Sequence, residues 1–319
     1  MQAEAAKTTT SSDAGWKPKH VIWKRMRVRY ELYLMLAIPL LWYVLFKYVP
    51  MYGITIAFKD FSATKGILGS PWAGLKHFER FFSSAYFWEL LWNTLSLSLF
   101  QLLVSFPVPI LLALLVNEIR HRWLQKLLQN TTYIPHFLSL VVLVGMMNIF
   151  LHPVTGKVNQ IIAMLGMDPI DFMKKAEWFQ TVFVMSGVWQ HMGWGSIIYL
   201  AALSGIDPTL YEAAKIDGAT RLQRVMHVSI PGIMPTVIIL FILQIGQLMD
   251  VGFEKALLMQ NPVNASKSDI LPTFVYKNGI QGGQFSYTAA AGLFNAVIDF
   301  TLLVLVNWYA RKKTDSSLW

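Results

Sequence analysis

The sequence contains no cysteine, so a disulfide, a thiolate zinc site and a cysteine nucleophile are all excluded. Charge is scarce as well. Only 14% of residues are Asp, Glu, Lys or Arg against 55% apolar, and the mean hydropathy is positive. A single water-soluble core of this length does not fit that balance. No Gly-x4-Gly-Lys-Ser/Thr run occurs, so no loop is available to cradle nucleotide phosphates. His136 and His152 lack metal-ligand spacing and read as ordinary polar residues. The first 29 residues are polar and basic with no apolar stretch. No cleavable leader is therefore expected, and the first apolar segment serves as its own insertion signal.

What the chain has in abundance is long apolar sequence. Leu90 to Val116 and Trp178 to Ile206 run 27 and 29 residues without a charge, where about 20 apolar residues suffice to cross a bilayer. Leu32 to Val49, Tyr133 to Leu151, Gly232 to Met249 and Phe285 to Ala310 complete a set of six candidates. The expectation is an all-α integral membrane protein with six transmembrane helices. Residues 1–29 form a basic cytosolic segment, disordered over its Ala-, Thr-, Ser- and Lys-rich first part; residues 30–312 hold the spans, and residues 313–319 are a cytosolic tail.

Lysine and arginine orient the chain. Sixteen fall in the first 29 residues, the second loop, the polar insert after the fourth span and the tail. Ten fall in the opposite loops, among them Lys255, Lys267 and Lys277 after the fifth span. The bias places both termini and the insert in the cytosol. The net charge of +9 then reports orientation and contact with lipid headgroups rather than nucleic-acid binding. On the other side, Ile56 to Trp88 and Asn261 to Gln284 are longer than connections need to be and rich in Gly, Pro and aromatic residues. They read as ordered caps, anchored by aromatic side chains at headgroup depth or presenting a landing surface for an external partner.

The insert reads YEAAKIDGATRLQRVMHVSIP from Tyr211 to Pro231. Asp207 is placed to cap a helix with Pro208 at its first position, and Gly218 tolerates the positive φ of a sharp stop. Thr220 and Gln223 have capping-box spacing for a second short helix, and Pro231 falls where the chain re-enters the bilayer. A helix, an elbow and another helix, exposed between two spans, have the form of a docking lever. Ala213, Ala214 and Ala219 allow close approach. Glu212, near the start of its helix, is favoured by the helix dipole and available to pair with a basic partner group.

This insert resembles the cytoplasmic EAA loop of binding-protein-dependent ABC importers, in their carbohydrate-uptake permease branch. The core Glu212-Ala213-Ala214 with Asp217 and Gly218 carries the likeness, and it extends further. GITIAFKDF from Gly53, GLKHF from Gly74, Asn93-Thr94 and FPVPILLALLVNE from Phe106 are similar in order and spacing to LplB-like oligosaccharide permeases. The likeness covers roughly Tyr30 to Lys312. The family loop closes on Ile-x-Leu-Pro where this chain has Val228-Ser229-Ile230-Pro231, a conservative exchange. The resemblance implies a type I ABC importer permease fold with Glu212, Ala213, Ala214, Asp217, Gly218 and Ala219 facing an ATPase. It also implies a second permease, a distinct homologous chain; two ATPase subunits; an extracellular solute-binding protein; and an oligosaccharide substrate, acidic polysaccharide fragments included. This chain would bind no cofactor itself; ATP and Mg would sit on the ATPases. Leu203-Ser204-Gly205 is followed by Ile206-Asp207, not the Gly-Gln of an ABC signature.

Sugars are held by aromatic faces and by amides that reach hydroxyls, so a path through lipid should show such groups where leucine would be cheaper. Gln190, His191 and Trp194 interrupt the fourth span, and Gln244 with Gln247 the fifth. By their offset from the coupling glutamate they correspond to the helices that line the sugar site in maltose-type permeases; Asn148 is a further candidate. Each also admits a plainer reading as an interhelical hydrogen bond. Asp299, mid-span in the sixth helix, is costly unless paired, and structural pairing is preferred over proton coupling. A self-sufficient secondary transporter or channel stands as the alternative, and only Asp299 leans that way.

Overall fold

The computed structural model describes residues 28–314 and 317–319. The basic segment expected over residues 1–29 therefore lies outside the described residues except for Val28 and Arg29. Among the described residues every named element is helical, and the one β-bridge pairs Lys59 with Trp72. The chain divides into two units, one ending at Thr55 and one spanning Ile56–Trp319.

In the first unit, the helix Tyr30–Tyr43 buries none of its side chains, although it is apolar on every face. A helix apolar all round belongs in lipid or against other protein. It carries Pro39 internally and passes into a π-helical turn at Val44–Tyr48.

Among the described residues, four helices are long and apolar enough to cross a membrane: Tyr30–Phe58, Phe87–Asn117, Arg221–Ile245 and Phe285–Lys313. A fifth candidate is broken. Arg122–Phe137 and Leu140–Phe150 meet at 103°, where Pro135 sits in a short 3-10 turn and Ser139 Oγ accepts from Val142 N to cap the second half. The continuous third span expected from Tyr133 is thus a bent pair. The remaining helix, Ala176–Ser204, is 29 residues long. Gln180, Gln190 and His191 dilute its apolar character, and it is not among those four helices.

That helix is the axis of the second unit. Phe179, Phe183, Val184 and Val188 join Leu97, Leu143 and Met147 in one buried cluster; nearer the insert, Tyr199 and Leu203 pack with Ala113, Leu114 and Ile233 in another. In lipid, association rests on close contact rather than on escape from water, so small residues stand where backbones meet. Gly193 is buried against Thr132, and a Cβ there would run into the Thr132 carbonyl. Gly232 likewise faces Ile206.

The segments expected to be caps are packed structures. Phe58 stacks on Trp72 at 5.7 Å, and Phe81, fully buried, gathers Phe87, Phe274, Tyr287 and Phe294 around it. Ser286 Oγ donates to the Lys59 carbonyl and accepts from Phe61 N, which ties this cap to the last helix. The Asp60 carboxylate takes Lys76 Nζ at 2.9 Å and is held below the usual carboxylate range by that bond. Between the fifth span and the last helix the chain turns back into the bundle. Asn93 Nδ2 donates to the Ser266 and Asp269 carbonyls, and Thr94 Oγ1 accepts from Leu271 N. Asn264 Nδ2 donates to the Met173 and Met259 carbonyls. Four backbone carbonyls and one amide are thereby fixed by three side chains.

Overpacking the tightest of these contacts has a defined outcome. Gly193→Ala should destabilise the protein by about 1–3 kcal/mol, because the obstructing atoms are backbone and have nowhere to go. Gly145→Ala, at an exposed helical position with nothing within 4 Å, should cost nothing. Thermal unfolding in detergent separates the two; equal melting curves would refute the close approach.

Candidate functional site: coupling elbow and central cavity

The insert folds as its caps dictate. Asp207 Oδ1 accepts from Thr209 N at 2.9 Å, Pro208 occupies the first helical position, and the helix runs Pro208–Ile216. That hydrogen bond holds the Asp207 carboxyl below its ordinary range. The helix stops at Gly218, whose φ is 78°. Ala219 N donates to the Ala214 carbonyl at 2.9 Å and Gly218 N to that of Lys215 at 3.1 Å, the paired bonds of a Schellman end, which needs the left-handed residue glycine supplies. Thr220 and Gln223 form the expected capping box, and Arg224 Nη1 closes the elbow by donating to the Ala219 carbonyl at 2.8 Å.

Two details differ from the sequence reading. Glu212 is the fifth of nine helical residues, beyond the first turn. The dipole acts over the first turn only and contributes little there. The second helix is also not a separate short one. Arg221–Ile245 runs unbroken for 25 residues through Pro231. The proline has no amide hydrogen to give, and the backbone accommodates this with a π-helical turn at Val225–Ser229, in which Ile230 N donates to the Val225 carbonyl. The elbow is therefore continuous with the fifth span, and Tyr211 Oη with Ser229 Oγ at 2.9 Å ties the first helix of the insert to the second.

The insert presents a mixed surface. Glu212, Ala213, Asp217 and Gly218 are exposed and Ala214 and Ala219 partly so. Leu210, Ile216, Leu222 and Met226 add exposed apolar side chains, with Ile216 at 87%.

The polar residues of the spans separate into different places. His191 and Gln244 line one cavity of about 380 Å³, with Gln101, Gly187 and Lys255. Gln244 also lines an adjoining recess of about 420 Å³ with Gln247, Ser98, Gln101 and Asp250. Gln101 and Gln244 thus border both, and Gln101 Oε1 is buried without a partner. Trp194 stacks on His136 at 4.5 Å with the rings 2° from parallel, and His136 Nδ1 lies 3.1 Å from His191 Nδ1. Gln190 is 2% exposed, and its Nε2 donates to the Leu138 carbonyl at 2.9 Å. Leu138 lies at the 103° break, where a carbonyl released from the helix needs a donor that lipid cannot supply. Asn148 lies apart, in an outer recess with His152, Lys174 and Asn261. Asp299 Oδ1 accepts from Met249 N at 2.9 Å, a backbone amide freed where the fifth span ends.

Sequence reasoning missed Gln101 and Lys255. Gln101 lies within a run read only as a span, and Lys255 was counted among outer-loop lysines. The signal for Lys255 was the short, largely apolar stretch Phe253 to Met259 after Gly252, whose φ of 73° turns the chain back inward.

Comparisons with known proteins agree with this architecture. The family described as "Binding-protein-dependent transport system inner membrane component" matches residues 105–314. The polygalacturonan/rhamnogalacturonan transport system permease protein YteP of Bacillus subtilis is 43% identical over 303 residues, covering 95% of this chain and 94% of that one. Protein LplB of the same organism is 42% identical, covering 90% of each. A solved bacterial ABC transporter that imports the acidic polysaccharide alginate contains a chain of 38% identity with a TM-score of 0.85, covering 92% of this chain and 99% of that one. A second structure of an alginate transporter, with its periplasmic protein bound to an alginate pentasaccharide, matches at 37% identity and the same TM-score, covering 93% and 99%. With more than half its length matched by the family and relatives above 40% identity along nearly all of it, the chain belongs to the inner membrane components of binding-protein-dependent transport systems.

Proposed function

We propose that this protein is one membrane-spanning half of an ATP-driven importer of acidic oligosaccharides. It pairs with a second, homologous permease, two ATPase subunits that hold ATP and Mg, and an external binding protein. The observation that carries the reading is the helix Arg221–Ile245, which bears the capped elbow at one end and Gln244, on the cavity wall, at the other. A displacement imposed on the elbow has a stiff route to the cavity. The acidic class is supported by the relatives, which serve polygalacturonan, rhamnogalacturonan and alginate.

On this reading six spans cross the membrane, the broken pair and Ala176–Ser204 among them, with both termini and the insert in the cytosol. Glu212, Ala213, Ala214, Asp217, Gly218 and Ala219 dock in a groove on the ATPase. Closure of the ATPase dimer moves two such elbows and switches the cavity between the two sides of the membrane. His191, Gln244 and Gln247 contact the sugar in the connected recesses, and Trp194 with His136 offers an aromatic wall beside them. Gln190 supports the path by holding the break at Leu138, and Asn148 borders the outer recess. The Asp299 carboxylate is engaged by a backbone amide, so it gives no support to a proton-driven transporter.

In the reconstituted importer, Glu212→Arg and Gly218→Val should leave assembly intact while lowering uptake per ATP hydrolysed at least fivefold; wild-type coupling in both variants would remove the elbow from the transmission. The path is tested separately. Gln244→Leu with His191→Leu should reduce uptake tenfold or more, whereas unchanged uptake kinetics would place the sugar elsewhere.

A further inference from the structure

Among the described residues, Lys255 is the one buried Lys, Arg, Asp or Glu side chain. It is 6% exposed and has no ion-pair partner among the described residues. Burying an ammonium without a counter-charge costs several kcal/mol, so such groups normally come paired. Its Nζ donates to the Phe183 carbonyl at 2.7 Å and sits 4.6 Å over the Phe183 ring. Neither contact explains the charge. The Phe183 carbonyl already accepts from Ser186 Oγ at 3.1 Å, and a neutral donor would serve it as well. Space for the ammonium is kept open by Gly187, where a Cβ would come within 3.3 Å of Nζ. The side chain reaches this position because Gly252 turns the chain inward and because Asn264 and Asn93 pin the segment that follows.

The surroundings show what the charge faces. Lys255 lines the same cavity as His191, Gln244 and Gln101. Two neutral amides and an imidazole suit sugar hydroxyls, and none supplies a full positive charge at neutral pH. The nearest acidic side chains in sequence, Asp250 and Glu254, are not in that lining; Asp250 lines the adjoining recess. A buried cation, a few neutral hydrogen-bonding groups in an otherwise apolar lining and no acidic side chain in that lining together leave one component missing. We infer that Lys255 reads the carboxylate of a uronic acid residue as it passes through the cavity, making the permease itself, and not only the binding protein, selective for acidic sugars. The passing carboxylate completes the ion pair that the protein lacks. A neutral sugar leaves the ammonium unpaired and gains nothing from it. This inference rests on the oligosaccharide reading above and extends it to a specificity residue.

The test uses the complete importer in proteoliposomes, with initial uptake rates for a galacturonate trisaccharide and for its carboxyl-reduced, neutral counterpart, each at saturating binding protein. The binding protein is the same in every arm, so its own selectivity cancels. Lys255→Met keeps the apolar stem, and Lys255→Gln keeps the donor to Phe183 while removing the charge. Both should lower the ratio of charged to neutral uptake at least tenfold, and Lys255→Arg should restore most of it. An unchanged ratio in the neutral variants, or proportional loss of both substrates with no rescue by arginine, would overturn the role of Lys255. Wild-type importer that moves neither sugar would instead overturn the oligosaccharide reading, and this inference with it.

Discussion

One helix joins the two ends of the account. Arg221–Ile245 begins at a capping box outside the apolar region and ends at a glutamine on a cavity wall, a length of about 37 Å at 1.5 Å per residue. Everything mechanical depends on its staying in one piece. It carries two prolines, Pro231 as the eleventh of its 25 residues and Pro235 four positions on, where an ordinary helix would kink or break. The π-helical turn at Val225–Ser229 instead carries the backbone past Pro231, and Tyr211 braces that turn through Ser229, whose side chain is fully buried. The elbow is fixed to the same rod by the Arg224 bond to Ala219 and by the paired bonds around Gly218.

The second constraint is that lipid offers no hydrogen bonds, so each interruption of a span has to be answered by the protein. The pattern recurs at three sites. The break at Leu138 is met by Gln190, the end of the fifth span at Met249 by Asp299, and the inward return after Ser266 by Asn93 and Thr94. Polar residues in the spans therefore have two distinct uses. Gln190, Asn93 and Thr94 answer backbone groups from buried positions and Asp299 from a partly buried one, whereas Gln101 and Gln244 border the cavities. Separating the two is a matter of geometry that residue type cannot settle.

That separation marks the limit of what the sequence made legible. The caps were readable because Asp207-Pro208, Gly218 and Thr220-x2-Gln223 act over four or five residues, and the backbone obeys them locally. The apolar segments were readable from length. The break in the third span was not, because Pro135 and Ser139 are compatible with a continuous helix until tertiary packing chooses otherwise. The bond of Gln190 was illegible for the same reason: its partner, the Leu138 carbonyl, is 52 positions away. Lys255 was assigned to an outer loop because loop lysines ordinarily face water, and only the long-range bonds of Asn264 and Asn93 bring its segment inward. Glu212 was placed too near its helix start, since the start at Pro208 was known and its first turn was drawn too long.

The absence of cysteine allows the rod to be measured directly, because introduced thiols are the only ones in this chain. Spin labels at Leu222 and Leu243, both exposed, should lie about 32 Å apart along a straight helix. In the assembled importer the account predicts that this distance stays within about 2 Å of itself between nucleotide-free and ATP-bound states, while the distance from Leu222 to a label at Trp308 on the last helix changes. A shortening of the Leu222 to Leu243 distance by 5 Å or more on ATP binding would show the helix folding at its π-helical turn, and would contradict transmission through a rigid lever.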